Sequence, residues 1–209
     1  MRIAVLATGW AKKELLSKAI SSTVELTFLD SLGDMILSRN ADIFFDLDFV
    51  FDKERINKLG QLLPKPVFVN SVIHTLEEIG SPFIRINAWP TFLKRDICEV
   101  VAGDNQHQLI AEIFEKLDWR YQLVPDIIGM ISCRILATVI NEAYHTLDDE
   151  VSTKEEIDIA MKLGTSYPLG PFEWSEKIGL KEIYDLLLHL SKKENIYIVA
   201  KGLERQINP

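Results

Sequence analysis

Cysteine is scarce in this 209-residue chain, which holds only Cys98 and Cys133. That excludes a disulfide framework as the source of stability. MRIAVLATGW opens with no apolar run followed by a small-residue cleavage site, so the expected compartment is a reducing cytoplasm. The four histidines, His74, His107, His145 and His189, lie far apart, and no spacing among them suggests metal ligands. Basic clusters are absent and the net charge is −8, which argues against nucleic acid or an anionic membrane surface as main partner. No apolar run approaches the roughly 20 residues of a membrane span. What remains is an ordinary globular balance, 47% apolar and 26% charged, in a chain long enough for one large domain or two small ones.

The first half alternates strand-like and helix-like segments. RIAVLA (2–7), VELTFLD (24–30), ADIFFDLDF (41–49), PVFVN (66–70), FIRIN (83–87), ICEVV (97–101) and RYQLV (120–124) read as strands. AKKELLSKAI, DKERINKLGQLL and QHQLIAEIFEKL read as helices between them. Such alternation points to a mainly parallel sheet covered on both faces. After Pro125 the character changes. Residues 127–147 form a long apolar helical run, and STKEEIDIAMKLG follows with Thr153 and Glu156 as a capping box and Gly164 as a C-cap. Pro171 suits the first turn of another helix, and GLKEIYDLLLHLSKK supplies one more. The expected organisation is an α/β Rossmann-like domain over 1–125 and an all-helical domain over 126–209.

The run KLGTSYPLGPFEW, Lys162 to Trp174, is the most distinctive stretch. Gly170-Pro171 reads as a tight interhelical turn, and Tyr167, Phe172 and Trp174 read as core. Together with VPDIIGMISCRILATVINEAYHTL, it resembles the C-terminal domain of the 3-hydroxyacyl-CoA dehydrogenases over residues 126–180. The resemblance implies an N-terminal dinucleotide-binding domain and a helical domain that forms a homodimer. It also implies NAD-dependent oxidation of a 3-hydroxyacyl-CoA, with an acyl-CoA or other small molecule as ligand.

The residues for that chemistry are only partly present. A dinucleotide fingerprint needs glycines after the first strand and an acid for the ribose. The three glycine positions fall on Ala7, Gly9 and Lys12, and Asp30 sits where the ribose acid belongs. Asp30 reads equally as the cap of the short helix SLGDMIL. Ala7 and Lys12 together are expected to obstruct the dinucleotide. The resemblance further implies a helical arm after the second strand to hold CoA. The ten residues between Asp30 and Ala41 leave no room for it.

The family's catalytic base is a histidine served by a glutamate twelve residues on. Glu99 keeps the glutamate, but the histidine position falls on Asn87, whose amide accepts no proton near neutral pH. The substrate-positioning stretch of the family resembles VFVNSV, with Asn70 matched, Val72 at the serine position and Ser71 one place off. Cys133 stands where the family has asparagine, and it reads as a small core residue. His74, near this loop, reads as a solvated or capping residue. A lone carboxylate serves as base only when burial raises its pKa well above the usual range. Two readings follow: an NAD-dependent oxidoreductase with an impaired site, or a non-catalytic dimeric binding or regulatory module on the same scaffold.

Overall fold

The computed structural model describes residues 1–208, which divide into two compact units, the first ending at Met130. The first unit is built on a seven-stranded sheet. Its strands are β1 (Arg2–Leu6), β2 (Glu25–Leu29), β3 (Ile43–Asp46), β4 (Val67–Val69), β5 (Ile84–Ile86), β6 (Ile97–Val101) and β7 (Arg120–Leu123). Their spatial order is β2-β1-β3-β4-β5-β6-β7. All neighbours are parallel except β5 and β6, where Arg85 faces Val101 in an antiparallel pair. Chain order reverses at β1, which pairs β2 on one side and β3 on the other. The crevice outside the carboxyl ends of β1 and β3 is therefore a topological switch point, where open α/β sheets hold their ligands.

Alternating side chains fill two cores. Helices α1 (Gly9–Ser17) and α5 (His107–Leu117) cover one face through Ala11, Leu15, Ile110, Ile113 and Phe114. Helices α2 (Leu32–Leu37), α3 (Lys53–Gly60) and α4 (Leu76–Ile79) cover the other through Met35, Leu59 and Ile79. Ser31, not Asp30, caps α2, its side chain accepting from the Asp34 N–H at 3.1 Å. Asp30 stays exposed, with no hydrogen bond or ion pair among the described residues. Only α2 occupies the segment between β2 and β3, so no helical arm stands there.

A buried arginine ties the segment after β7 to the first unit. Arg85, fully buried on β5, pairs with Asp126 and donates to the carbonyls of Ser71 at 2.8 Å, Val72 at 3.0 Å and Ile127 at 3.3 Å. Asp126 in turn accepts from the Leu76 N–H at the start of α4. Burial pulls the Arg85 pKa down, and its bond to Asp126 opposes that.

The second unit is helical: α6 (Ser132–Asp148), α7 (Lys154–Thr165), α8 (Pro171–Ile178), α9 (Leu180–Ser191) and α10 (Lys201–Ile207). The run read as helical from 127 starts as helix only at Ser132, since Gly129 (φ 79°) and Met130 (φ 49°) take left-handed conformations that stop it. Thr153 and Glu156 form the expected capping box. Helix α7 runs past Gly164 to Thr165, and Ser166 (φ 57°) takes the left-handed cap instead. Pro171 occupies the first turn of α8, and Phe172 and Trp174 are core. Asn141 on α6 binds both Ile198 O at 2.8 Å and the Ala200 N–H at 2.9 Å, which holds the last segment along α6.

Candidate active site

The two residues at the catalytic dyad positions meet. Antiparallel pairing of β5 and β6 sets Asn87 opposite Glu99, with the Asn87 N–H on Glu99 O at 3.1 Å. Across the same pair, Asn87 Nδ2 donates to Glu99 Oε2 at 2.9 Å. The arrangement keeps a polar side chain oriented by a carboxylate, yet neither partner of that bond is an imidazole. Asn87 is buried, at 2% exposure.

Asn70 and Ser71 lie on the adjacent strand end, and their side chains serve the scaffold. Asn70 donates to Leu47 O at 3.2 Å and Ala88 O at 3.3 Å, and its Oδ1 accepts from the Ala88 N–H at 3.0 Å. It ties the chain leaving β3, β4 and β5 together just beyond the sheet. Ser71 Oγ donates to His74 O at 2.8 Å and is buried. His74 stacks on Phe51 at 3.8 Å between centroids and stands 3.6 Å from Glu78. Cys133 is fully buried on α6, in the second unit.

At the switch point, Gly9 opens α1 with φ 48°, and a β-carbon there would meet nothing within 4 Å. Thr8 makes no side-chain cap, and the first turn of α1 carries no acid. The helix therefore presents uncapped N–H groups and a favourable field for an anion. Ala7 is buried in the core at 4% exposure and is not left-handed, so its methyl does not crowd the turn. Lys12 lays its ammonium over the Phe28 ring on β2, 4.8 Å from the centroid. The obstruction expected from these two side chains is thus directed elsewhere. With Asp30 unengaged at the end of β2, the residues present fit the diphosphate and ribose of a dinucleotide.

One switch-point pair is not among the residues singled out from the sequence. Asp46, fully buried at the carboxyl end of β3, holds Arg55 in a bidentate bridge, Nε to Oδ2 at 2.8 Å and Nη2 to Oδ1 at 2.6 Å. Burial pushes the Asp46 carboxyl up, and the guanidinium opposes it. An Asp in a run of aromatic and aliphatic residues, FFDLDF, with an Arg nine residues on, was the only available signal. Grooves of 440 and 550 Å³ lie at the opposite edge of the sheet, among Met1, Arg2, Asp42 and Pro66, and touch none of these residues. Among the described residues no cluster of His, Cys, Asp or Glu could hold a metal ion. No helix among them is long and apolar enough to cross a membrane.

Residues 129–206 match the family model of the 3-hydroxyacyl-CoA dehydrogenase C-terminal domain. The helical unit is thus similar to that C-terminal domain. A 3-hydroxyadipyl-CoA dehydrogenase of Escherichia coli is 40% identical over 67 residues, 32% of this chain and 14% of that protein. A 3-hydroxybutyryl-CoA dehydrogenase of Bradyrhizobium diazoefficiens is 28% identical over 185 residues, 80% of this chain and 60% of that protein. The chain thus spans less than two thirds of either relative. Solved structures of low identity share the fold. The (S)-3-hydroxybutyryl-CoA dehydrogenase of Ralstonia eutropha superposes with a TM-score of 0.76 at 17% identity, covering 99% of this chain and 93% of that one. The 3-hydroxybutyryl-CoA dehydrogenase of Escherichia coli gives 0.73 at 15% identity, over 99% of this chain and 56% of that one.

Proposed function

We propose that this chain belongs to the 3-hydroxyacyl-CoA dehydrogenase family and binds a nicotinamide dinucleotide at the start of α1, but does not sustain alcohol oxidation at the rate of a working dehydrogenase. The hydrogen bond from Asn87 Nδ2 to Glu99 Oε2 carries this reading. Oxidising a secondary alcohol requires a group that takes the hydroxyl proton while hydride leaves. At the place where the resemblance puts that group, this chain has an amide, which accepts no proton near neutral pH.

Bound there, the dinucleotide would supply the hydride acceptor. Gly9 and the first N–H groups of α1 would take its diphosphate, and Asp30 its ribose. Asn70 keeps the strand ends beneath it fixed, and Asn87 orients the Glu99 carboxylate without relaying a proton. The product of these parts is a holding site.

The helical unit supports a partner of its own kind. Ile131 and Ile135 at the start of α6, and Ile159 and Leu163 on α7, are exposed apolar residues, Leu163 at 81%. Covering them by a second copy is the homodimer reading of this unit.

Two measurements on the purified protein test the proposal together. NAD is expected to raise the melting temperature, since a ligand of the folded state stabilises by mass action. NADH formation from 3-hydroxybutyryl-CoA is expected to run at least about 100-fold below a typical turnover of ~10 s⁻¹. Turnover at that typical rate would overturn the catalytic half of the reading. An unmoved melting temperature at millimolar NAD would overturn the binding half.

A further inference from the structure

The stretch between Asn87 and Glu99 is held down in an unusual way. Thr91, a β-branched residue with 8% exposure, sits at φ 77°. That left-handed conformation is a genuine outlier for such a side chain and persists only where its surroundings impose it. The imposing group is Glu14 on α1, whose Oε1 accepts from the Thr91 N–H at 2.6 Å. Just past the end of α1, its C-cap Lys18 donates from Nζ to the carbonyl of Arg95. An acid on the helix and a base at its end thus take an N–H and a C=O of the same segment.

Lys18 is itself fixed from behind by Trp119, whose ring lies 4.9 Å from its ammonium. Inside the segment, Phe92 N–H bonds Trp89 O at 2.9 Å and Arg95 N–H bonds Phe92 O at 3.1 Å. These turns make it a single compact piece. Its closed state is nevertheless incompletely satisfied. Glu14 Oε2 and Thr91 Oγ1 are both buried without a hydrogen-bond partner. A buried polar atom left unpaired destabilises the state that buries it.

We propose that residues 88–95 form a strap anchored at Ala88 by Asn70 and latched onto α1 by Glu14 and the adjoining Lys18, and that beyond Ala88 it opens as a unit, uncovering Trp89, Phe92 and Leu93, while the sheet stays folded. Asn87 lies directly at its root, and the Trp89 N–H leans on Asn87 Oδ1 at 3.5 Å. Opening the strap loosens that hold and exposes the Asn87–Glu99 pair, so the strap is a gate on the pair. Helix α1 is its hinge plate. Every residue of the strap and its latch belongs to the first unit, and no dinucleotide is needed for it to open.

Hydrogen exchange on the full chain, read residue by residue, tests this. In the natural protein, the Thr91 and Arg95 amides are expected to exchange together and faster than those of β1, β3 and β4. Glu14→Ala removes the latch and is expected to speed their exchange on the order of tenfold or more, with the sheet unchanged. Glu14→Gln keeps an acceptor for the Thr91 N–H, so exchange is expected near the natural rate. Thr91→Gly adopts a positive φ freely and discards the orphaned hydroxyl; added to Glu14→Ala, it is expected to return the segment toward natural protection. Exchange of Thr91 and Arg95 at the rate of the sheet amides in both the natural protein and Glu14→Ala would overturn the proposal. So would a failure of Thr91→Gly to restore protection in a folded double variant.

Discussion

A β-carbon on Gly170 would lie 2.3 Å from the carboxyl of Asp158. That closeness explains the Gly-Pro corner. Asp158, buried on α7, accepts from the N–H of Phe172 at 2.8 Å and of Glu173 at 3.1 Å, so a side chain from one helix caps the next. Only glycine lets the chain pass against the carboxylate. Asp158→Ala leaves one buried and one part-buried N–H unpaired and is expected to destabilise the protein by about 1–4 kcal/mol. Gly170→Ala should also lower stability, since the carboxylate must move off the N–H groups it caps. Urea unfolding of both variants checks this, and an unchanged midpoint for either would break the explanation.

The signature's role as a corner was legible in Gly170-Pro171 itself, but its partner was not. Asp158 lies inside an amphipathic helical run and reads there as an ordinary polar position. The alternating first half, the Thr153–Glu156 box and the first turn at Pro171 were legible because each rests on local rules of period and capping. The start of α6 was not, because left-handed Gly129 and Met130 interrupt an apolar run whose composition alone looks helical. Asp30 as a cap lost to its neighbour Ser31 for a similarly local reason. Arg85, Asp46 and the strap belong to another class. Each depends on partners brought together by the sheet, and FIRIN shows Arg85 only as a strand residue between two isoleucines.

Arg85 provides the second prediction. Its guanidinium is completely buried and engages Asp126 together with three carbonyls. Removing the guanidinium strands the buried Ser71 and Val72 carbonyls, at about 2–5 kcal/mol together, while Asp126, 31% exposed, is left to water. Arg85→Met should therefore destabilise the first unit by that amount. It should also raise hydrogen exchange in α4, whose first N–H leans on Asp126. A loss below 1 kcal/mol would mean that water replaces the guanidinium at little cost.

Acid provides the third. The Lys162 ammonium beside Glu173, together with the Gly170 N–H, holds the Glu173 carboxyl below its ordinary 4.5. A depressed pKa contributes stability that is present above 4.5 and is lost as pH falls through the folded-state value. Glu173→Gln is expected to flatten that part of the stability-against-pH curve and to leave the curve's shape above pH 5 unchanged. An identical acid limb in the variant would show that the pair contributes nothing. Because the group is exposed, the effect is expected to shrink in high salt.

The homodimer reading gives the fourth. Leu163, Ile159 and Ile135 are exposed at 81%, 52% and 57%. Light scattering at micromolar concentration should return twice the mass of one chain. Leu163→Glu with Ile159→Glu should return a single chain that remains folded. A monomeric mass for the natural protein would remove the dimer.

The last prediction returns to Asn87. Glu99 still presents a carboxylate oxygen 2.9 Å from the side-chain nitrogen at position 87, so the orienting half of an acid–base pair is in place. Asn87→His would put an imidazole where that oxygen can accept its N–H and leave the second ring nitrogen as proton acceptor. A positioned general base contributes about 10²–10⁴-fold, although Val72 and Cys133 still stand at family positions that this change does not repair. NADH formation by the variant is therefore expected to rise on the order of tenfold over the natural chain. It should fall away as pH drops below about 6.5, where the imidazole protonates. Glu99→Gln added to the variant should remove most of the gain while leaving the NAD-induced rise in melting temperature intact. No gain in a folded Asn87→His protein that still responds to NAD would show that the missing imidazole is not what limits the reaction. The obstacle would then lie with the acyl-CoA, whose helical arm this chain lacks between β2 and β3.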